Sequence, residues 1–414
     1  IMINTKKITK EKAPTNSGSD SEKLGLYLHF PFCLQKCRYC DFASEDQRLE
    51  RIPAYTEALV KEIALRADQQ AERAELRTIY FGGGTPNLFG INNFGKVTQA
   101  IREYYLTKNV AEFTVEINPG VLTADFLEYL KAEGVNRLSL GAQSFNDDEL
   151  LTLGRIHKSR EIDIAVKQLR QTGFSNFSLD FIYGIPGQTL SSWQKTVEEA
   201  LRTGAPHLSL YCLSYERGTP LYQAQMNGEI QVIDEELEWQ MFQTAHNLLV
   251  NAGFRHYEIS NFAKPGFEAR HNSIYWKGGR YFGFGAAAHS YDGQKRWWNE
   301  RLVDNYIQVL QNNRLPVAGQ EILSPSDRII ETIFLGLRTA EGLDIALLEK
   351  LSGIEFAHIY NKLINKIGNN PEQFFSLQNG HLILTTRGWF LCDSITEKIL
   401  TIIEETKNDN TKSK

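Results

Sequence analysis

Six short apolar segments of strand length recur between residues 24 and 214: LGLYLHF, LRTIYFGGG, FTVEINP, RLSLGAQS, FSLDFIYG and HLSLYCLS. Between them the hydrophobic period lengthens to that of a helix. In LTADFLEYLKAEG, Thr123 stands at an N-cap position, Phe126, Leu127 and Leu130 share one face, and Gly134 ends the turn. REIDIAVKQLRQTG repeats the design, with Ile162, Val166 and Leu169 on one stripe and Gly173 as terminator. Strand–helix–strand repetition with right-handed crossovers predicts an α/β fold with a six-stranded parallel sheet, either open and doubly wound or curved into a barrel.

From about residue 300 the pattern turns helical, in SDRIIETIFLGLRTAEGLDIALLEKLSG. FFSLQNGHLILTTRGWFLCDSI then reads as a hairpin, with Asn379-Gly380 as its turn. A small helical, winged-helix-like C-terminal domain is expected. The predicted organisation is a disordered tail over 1–23, a core domain over 24–300, the C-terminal domain over 301–404 and a second disordered tail over 405–414, both tails being polar.

Composition narrows the function classes. The net charge of -5 provides no basic surplus, so the C-terminal domain is expected to pack or cover rather than bind nucleic acid. No window reaches the roughly 18 continuous apolar residues of a membrane span, so any membrane contact would be peripheral. Three of the five cysteines are clustered, which is unlike a disulfide framework and predicts a reducing, cytoplasmic setting with a metal or redox role. Cys212 and Cys392 read as ordinary buried thiols.

The clustered cysteines, Cys33, Cys37 and Cys40, follow a C-x3-C-x2-C spacing on a loop after the first strand. A structural zinc site needs a fourth ligand. His29 is close in sequence but lies within the strand, so a zinc knuckle would draw on a remote residue. A four-iron cluster held by three thiolates instead keeps one iron open for a substrate or cofactor. Other polar residues gather at the same end of the predicted sheet: Gly82 to Pro86 after the second strand, Glu116 on the third, Gln143 on the fourth and Asp180 on the fifth. Barrels of parallel strands assemble their sites at these carboxyl ends. Glu116 on an apolar strand needs hydrogen-bond partners, and Arg155 can grip a carboxylate through two N–H groups.

The cysteine spacing, with Tyr39 just before the last thiol, and the FGGGTP loop resemble the radical S-adenosylmethionine family. That resemblance implies an open six-unit (β/α) partial barrel and a [4Fe-4S] cluster on Cys33, Cys37 and Cys40, completed by S-adenosylmethionine. LYLHFPFC, GGGTP, VEINP, LSLGAQSF, LGRIH and LDFIYGIPGQT resemble its coproporphyrinogen III oxidase-like branch. By resemblance, Tyr27, Gly83, Glu116 and Asp180 contact a first S-adenosylmethionine. Tyr39, Gly84, Thr85, Gln143 and Arg155 match positions that touch a second one in the oxidase.

Two departures point away from the oxidase: Phe42 stands where it carries a further cysteine, and only 32 residues precede Cys33. In RHNSIYWKGGRYFGFGAAAHSY, His271, Asn272, Tyr275 and Trp276 match the HNxxYW motif of heme-chaperone members of the branch. His271 is then the expected axial heme ligand, with Tyr275 and Trp276 on the porphyrin and His256 and His289 in reserve. The resemblance implies a heme chaperone that passes heme to acceptor apo-hemoproteins. The alternative is the oxygen-independent oxidase reaction, from coproporphyrinogen III to protoporphyrinogen IX. The resemblance admits a homodimer, and the electron donor is not indicated.

Overall fold

The computed structural model describes residues 24–69, 72–368 and 370–412. The expected tail over 1–23 lies outside the described residues. The six apolar segments are strands: β1 Leu24–Phe30, β2 Leu76–Gly83, β3 Glu112–Ile117, β4 Arg137–Gln143, β5 Phe177–Tyr183 and β6 His207–Cys212. They pair in sequence order, all parallel. Helices α1 Ile52–Ala67, α2 Gly90–Tyr104, α3 Ala124–Ala132, α4 Asp147–Leu153, α5 Ser159–Gln171 and α6 Leu190–Arg202 fill the crossovers. Thr123 caps α3 by accepting the Phe126 N–H, and Gly134 and Gly173 take the left-handed conformation that stops α3 and α5. Ile162, Val166 and Leu169 of α5 are buried against the sheet.

The same sheet runs on beyond the six expected strands, to twelve. Beside β6 it gains an antiparallel pair, β7 Arg255–Glu258 and β8 Asn261–Ala263. Beside β1 it gains the parallel strand β9 Tyr281–Phe284, then an antiparallel meander of β10 His289–Tyr291, β11 Lys295–Asn299 and β12 Val317–Ile322. The two edges do not meet, so the barrel stays open. These additions are short, and β12 is solvent-exposed along nearly its whole length, so it lacks the alternation that would reveal it. The sheet therefore reaches Ile322, past the boundary expected at residue 300. A buried polar network ties the added strands to α1. Glu62 accepts from Arg66 Nε (2.8 Å), Asn299 Nδ2 (2.8 Å), Tyr306 OH (2.7 Å) and the Gly285 N–H (2.9 Å).

The C-terminal module starts with helix Pro325–Leu337. A two-residue strand (Leu343–Asp344) and helices Ile345–Ser352 and Phe356–Ile367 follow, and then the hairpin Phe375–Gln378 and His381–Leu384. Helix, strand, helix, helix and hairpin is a winged-helix-like order. Asn379 and Gly380 both have positive φ, as a tight hairpin turn requires. The final helix, Cys392–Lys412, runs into the segment 405–414 expected as a tail, of which residues 413 and 414 lie outside the described residues. Ile395, Ile399, Ile402 and Ile403 are buried, Thr406 bonds His358, and Glu405 pairs with Lys366, so packing carries the helix into a segment of polar composition. Among the described residues no helix is long and apolar enough to cross a membrane.

Candidate functional site

The carboxyl end of the parallel strands opens into a cleft of about 200 Å³, lined by all three clustered cysteines. Tyr39, Gly83, Gly84, Thr85, Glu116, Gln143, Arg155 and Asp180 line it too. Of the cofactor residues expected from the sequence, only Tyr27 stands back from the wall; its hydroxyl bonds His29 Nδ1 at 2.9 Å. The other His29 nitrogen bonds the Ala43 carbonyl at 2.9 Å, so His29 pins the end of the cysteine loop rather than offering a fourth metal ligand.

Backbone bonds hold that loop from both sides. Arg38 N–H donates to Leu153 O at the end of α4, and Leu221 N–H donates to Arg38 O, both at 2.9 Å. Lys36 Nζ reaches the Phe42 and Ser44 carbonyls. The glycine loop packs directly beneath: Gly84 N–H donates to Phe30 O (2.7 Å) and Thr85 N–H to Phe32 O (2.9 Å). A Cβ on Gly84 would lie 2.6 Å from Phe32 O and 3.0 Å from Cys33 Sγ. Only glycine fits there, because backbone and thiol approach so closely. The three cysteines are free and half-exposed. Burial raises the Cys33 and Cys40 pKa values, while the Thr85 hydroxyl 3.7 Å away opposes the shift at Cys33.

Glu116 accepts from Tyr80 OH (2.7 Å) and from the Gly83 N–H (3.0 Å), so it shapes the glycine loop. Burial pushes its pKa up to about 7, with the Asp180 charge adding to the shift and the two hydrogen bonds opposing it. Asp180 accepts from Ser139 Oγ and Ser178 Oγ, both at 2.8 Å. Gln143 sits at φ 66, a strained setting for a non-glycine residue, at a register shift in β4. Arg155 donates to Gly141 O at 2.9 Å and approaches Cys37 Sγ at 3.4 Å, while its buried Nε has no partner. Ser139 and Tyr211, absent from the expected set, also line the cleft. Ser139 shares a strand face with Gly141 and Gln143, two and four residues on, a signal that period-two reading could have used.

The donor set fits a cluster with an open iron. Three free thiols share one cleft, a glycine cradle lies against Cys33, and an orphaned Arg155 Nε can take an anionic group. Among the described residues no three His, Cys, Asp or Glu side chains converge on a single ion.

The heme-motif residues lie at the opposite end of the barrel, on helix Arg270–Trp276. Glu112 accepts the Arg270 (2.7 Å) and His271 (2.9 Å) backbone N–H groups and docks this helix across the strand starts. His271 is buried, stacks on Tyr80 with ring centroids 5.0 Å apart, and bonds Thr78 Oγ1 through Nδ1 and Tyr275 OH through Nε2, both at 2.8 Å. Burial, and then the charge of Arg137, lower its pKa to about 3. As placed, neither ring nitrogen of His271 is available to iron. Tyr275 packs edge-on against Tyr281, and Trp276 faces outward toward the C-terminal module. His256 is likewise enclosed by Phe262 and Trp389, and His289 is exposed against Trp298.

An open α/β barrel whose three-cysteine loop faces a glycine cradle defines the radical S-adenosylmethionine class, and the family model described as the radical SAM superfamily matches residues 27–200. A second model, the HemN C-terminal domain, matches residues 323–391. The chain belongs to the HemN-like branch of this family, close to HemW. It is 35% identical over 374 residues to the heme chaperone HemW of Lactococcus lactis subsp. lactis, covering 90% of this chain and 96% of that one. To the heme chaperone HemW of Synechocystis sp. it is 36% identical over 353 residues, covering 83% and 85%. Among solved structures, coproporphyrinogen III oxidase (HemN) from Escherichia coli shares the fold at a TM-score of 0.78 and 22% identity, over 92% of this chain and 90% of that one.

Proposed function

We propose that the chain is a heme chaperone that binds heme and passes it to acceptor apo-hemoproteins. The observation that carries this reading is the full-length similarity to heme chaperone HemW, at 35% identity over 96% of that relative. Phe42 supports it: this side chain stands 60% exposed at the rim of the cysteine cleft, where the oxidase would carry a further cysteine.

In this reading Cys33, Cys37 and Cys40 hold a [4Fe-4S] cluster, and S-adenosylmethionine occupies the cleft beside it. When bound, the cluster supplies one-electron chemistry and an iron with an exchangeable position. The chain's own residues bind and orient. Gly83 and Gly84 bring backbone against the ligand without side-chain interference, Thr85 offers a hydroxyl, and Glu116 holds the Gly83 amide while presenting its carboxylate to ribose hydroxyls. Arg155 brings its unpaired Nε to a carboxylate, and Asp180 and Gln143 add polar contacts.

The test is a single anaerobically reconstituted preparation, titrated with hemin and assayed with coproporphyrinogen III, S-adenosylmethionine and reductant. Stoichiometric hemin binding and its transfer to an apo-hemoprotein are expected. Sustained turnover to protoporphyrinogen IX without hemin binding would overturn the reading.

A further inference from the structure

The inner face of two neighbouring strands carries polar groups that continue below the cleft into the barrel. Alternate residues share that face, Ser178 and Asp180 on β5 and His207, Ser209 and Tyr211 on β6, while Leu179, Leu208 and Leu210 are buried on the other. The register sets Ser178 beside His207 and Asp180 beside Ser209. Ser178 and His207 are fully buried, so their polar atoms must find partners within the protein.

The partners form one unbroken chain. Ser178 Oγ donates to Asp180 Oδ1 at 2.8 Å, His207 Nδ1 lies 2.8 Å from Ser178 Oγ, and Tyr257 OH lies 2.8 Å from His207 Nε2. Ser209 Oγ touches the chain from the side, 3.2 Å from Ser178 Oγ. Each end reaches a different cavity. Asp180 lines the cysteine cleft, whereas Tyr257, on β7, lines a pocket of about 270 Å³ together with Glu268, Glu341, and Ser273 and Trp276 of the helix Arg270–Trp276. Unlike the bonds around His271, which stay near the amino end, this chain joins two openings.

The ends fix the direction of every donor. A carboxylate at Asp180 takes the Ser178 proton, so Ser178 Oγ accepts from His207 and the ring carries its hydrogen on Nδ1. His207 Nε2 then keeps a lone pair for the Tyr257 hydroxyl, whose oxygen accepts the Ala269 N–H at 3.2 Å. All donors therefore point from the pocket toward the cleft. Arg137 is the charge that bears on the ring, and Glu258, Arg137 and Glu112 bear on Tyr257. Burial, and then the Arg137 charge, hold the His207 pKa well below the ordinary value, so the ring passes a proton on rather than resting as imidazolium.

We propose that Tyr257, His207 and Ser178 conduct protons through the barrel, between the pocket beside the helix Arg270–Trp276 and Asp180 in the cleft. In one passage Asp180 takes the Ser178 proton, Ser178 takes that of His207 Nδ1, His207 Nε2 takes that of Tyr257, and hydronium in the pocket reprotonates Tyr257 and leaves water. One N–H or O–H bond forms for each that breaks, and no electrons are exchanged. The ring emerges with its hydrogen on Nε2, and the return passage restores it to Nδ1. A ligand filling the cleft shuts Asp180 off from water there, which leaves this chain as its route to solvent. The relay requires neither heme nor S-adenosylmethionine.

The test follows the His207 Nδ1 proton in full-length protein labelled with [15N]histidine, by saturation transfer from water and by exchange into deuterium oxide. The resonance is assigned by its absence in His207→Gln. This proton leaves toward Ser178 only as another arrives at Nε2, so its exchange requires passage through the ring. Wild type is expected to show the Nδ1–H tautomer and to exchange this proton far faster than the backbone amides of β5 and β6, which await opening of the sheet. Tyr257→Phe and Ser178→Ala should each slow the exchange at least about tenfold, whereas damage to the fold would speed it, as the β6 amides would report. An Nε2–H tautomer in wild type, exchange no faster than that of the β6 amides, or a wild-type rate in either folded variant would overturn the relay.

Discussion

Both ends of the open barrel carry buried polar side chains, but they are satisfied differently. At the carboxyl end the cysteines are half-exposed, a buried Arg155 Nε has no partner, and Gln143 is held in a strained conformation. At the amino end His271, Thr78, Tyr275 and Glu112 close a hydrogen-bonded plug that leaves both nitrogens of its histidine engaged. Unfilled bonding capacity marks a place prepared for a ligand, whereas a saturated network marks one that stabilises the fold. Substitutions at the two ends should therefore fail in different assays.

The largest contrast is expected from Cys33→Ala. Iron and acid-labile sulfide after anaerobic reconstitution should fall to background, while the denaturant midpoint of the metal-free protein stays near wild type. Retention of full iron would break the assignment of the cleft as the cluster site. His271→Ala should behave conversely, leaving iron content intact but costing about 2–4 kcal/mol of stability by equilibrium unfolding. The substitution opens a cavity and strands Thr78 and Tyr275 without partners. Its pH dependence has a definite sign. With the folded pKa lowered to about 3, the unfolded chain takes the proton first, so the His271 contribution is present above about pH 6.5 and is lost as pH falls toward 3. His271→Ala should make that acid limb shallower, while His157, His207 and His256, lowered by burial likewise, keep the rest of it.

Gly84→Ala sharpens the comparison within the cleft. Its Cβ would meet Phe32 O and Cys33 Sγ, so S-adenosylmethionine affinity by calorimetry should drop at least about tenfold, or about 1.4 kcal/mol. The smallest effect is expected from Glu116→Gln, which keeps an oxygen for the Gly83 amide and should cost about 1 kcal/mol. Because the folded pKa of Glu116 is raised to about 7, its contribution is full below the unfolded carboxylate value and is lost as pH rises through 7. Stability curves of Glu116→Gln should lack that neutral-pH step. A step that persists would assign it to Glu258, which burial also raises to about 7.

The six parallel strands and their capped helices were legible in the chain, because alternation, helical period, Thr123 and the glycine stops are local properties. So was the carboxyl-end cleft, since each strand delivers one polar residue at its end and a parallel sheet aligns those ends by topology. The outer strands β7 to β12 were not legible: they are short or exposed, and their pairing is set by neighbours distant in sequence. The helical run through residues 405–412 was hidden for a similar reason, because its stability comes from packing against the module rather than from its own composition.

The sequence by itself determined the donor chemistry, with three thiols at fixed spacing, a glycine loop beside them and a histidine–aromatic motif further along. Only the tertiary structure decided which of those groups keep a free valence. Thr78 and Glu112 reach the His271 Nδ1 and backbone N–H from strands more than 150 residues away, Tyr80 stacks on the ring, and Tyr275 of the same helix takes Nε2. Among the described residues no partner reaches the Arg155 Nε. A hydrogen bond depends on which atoms meet, and that is settled when the elements pack.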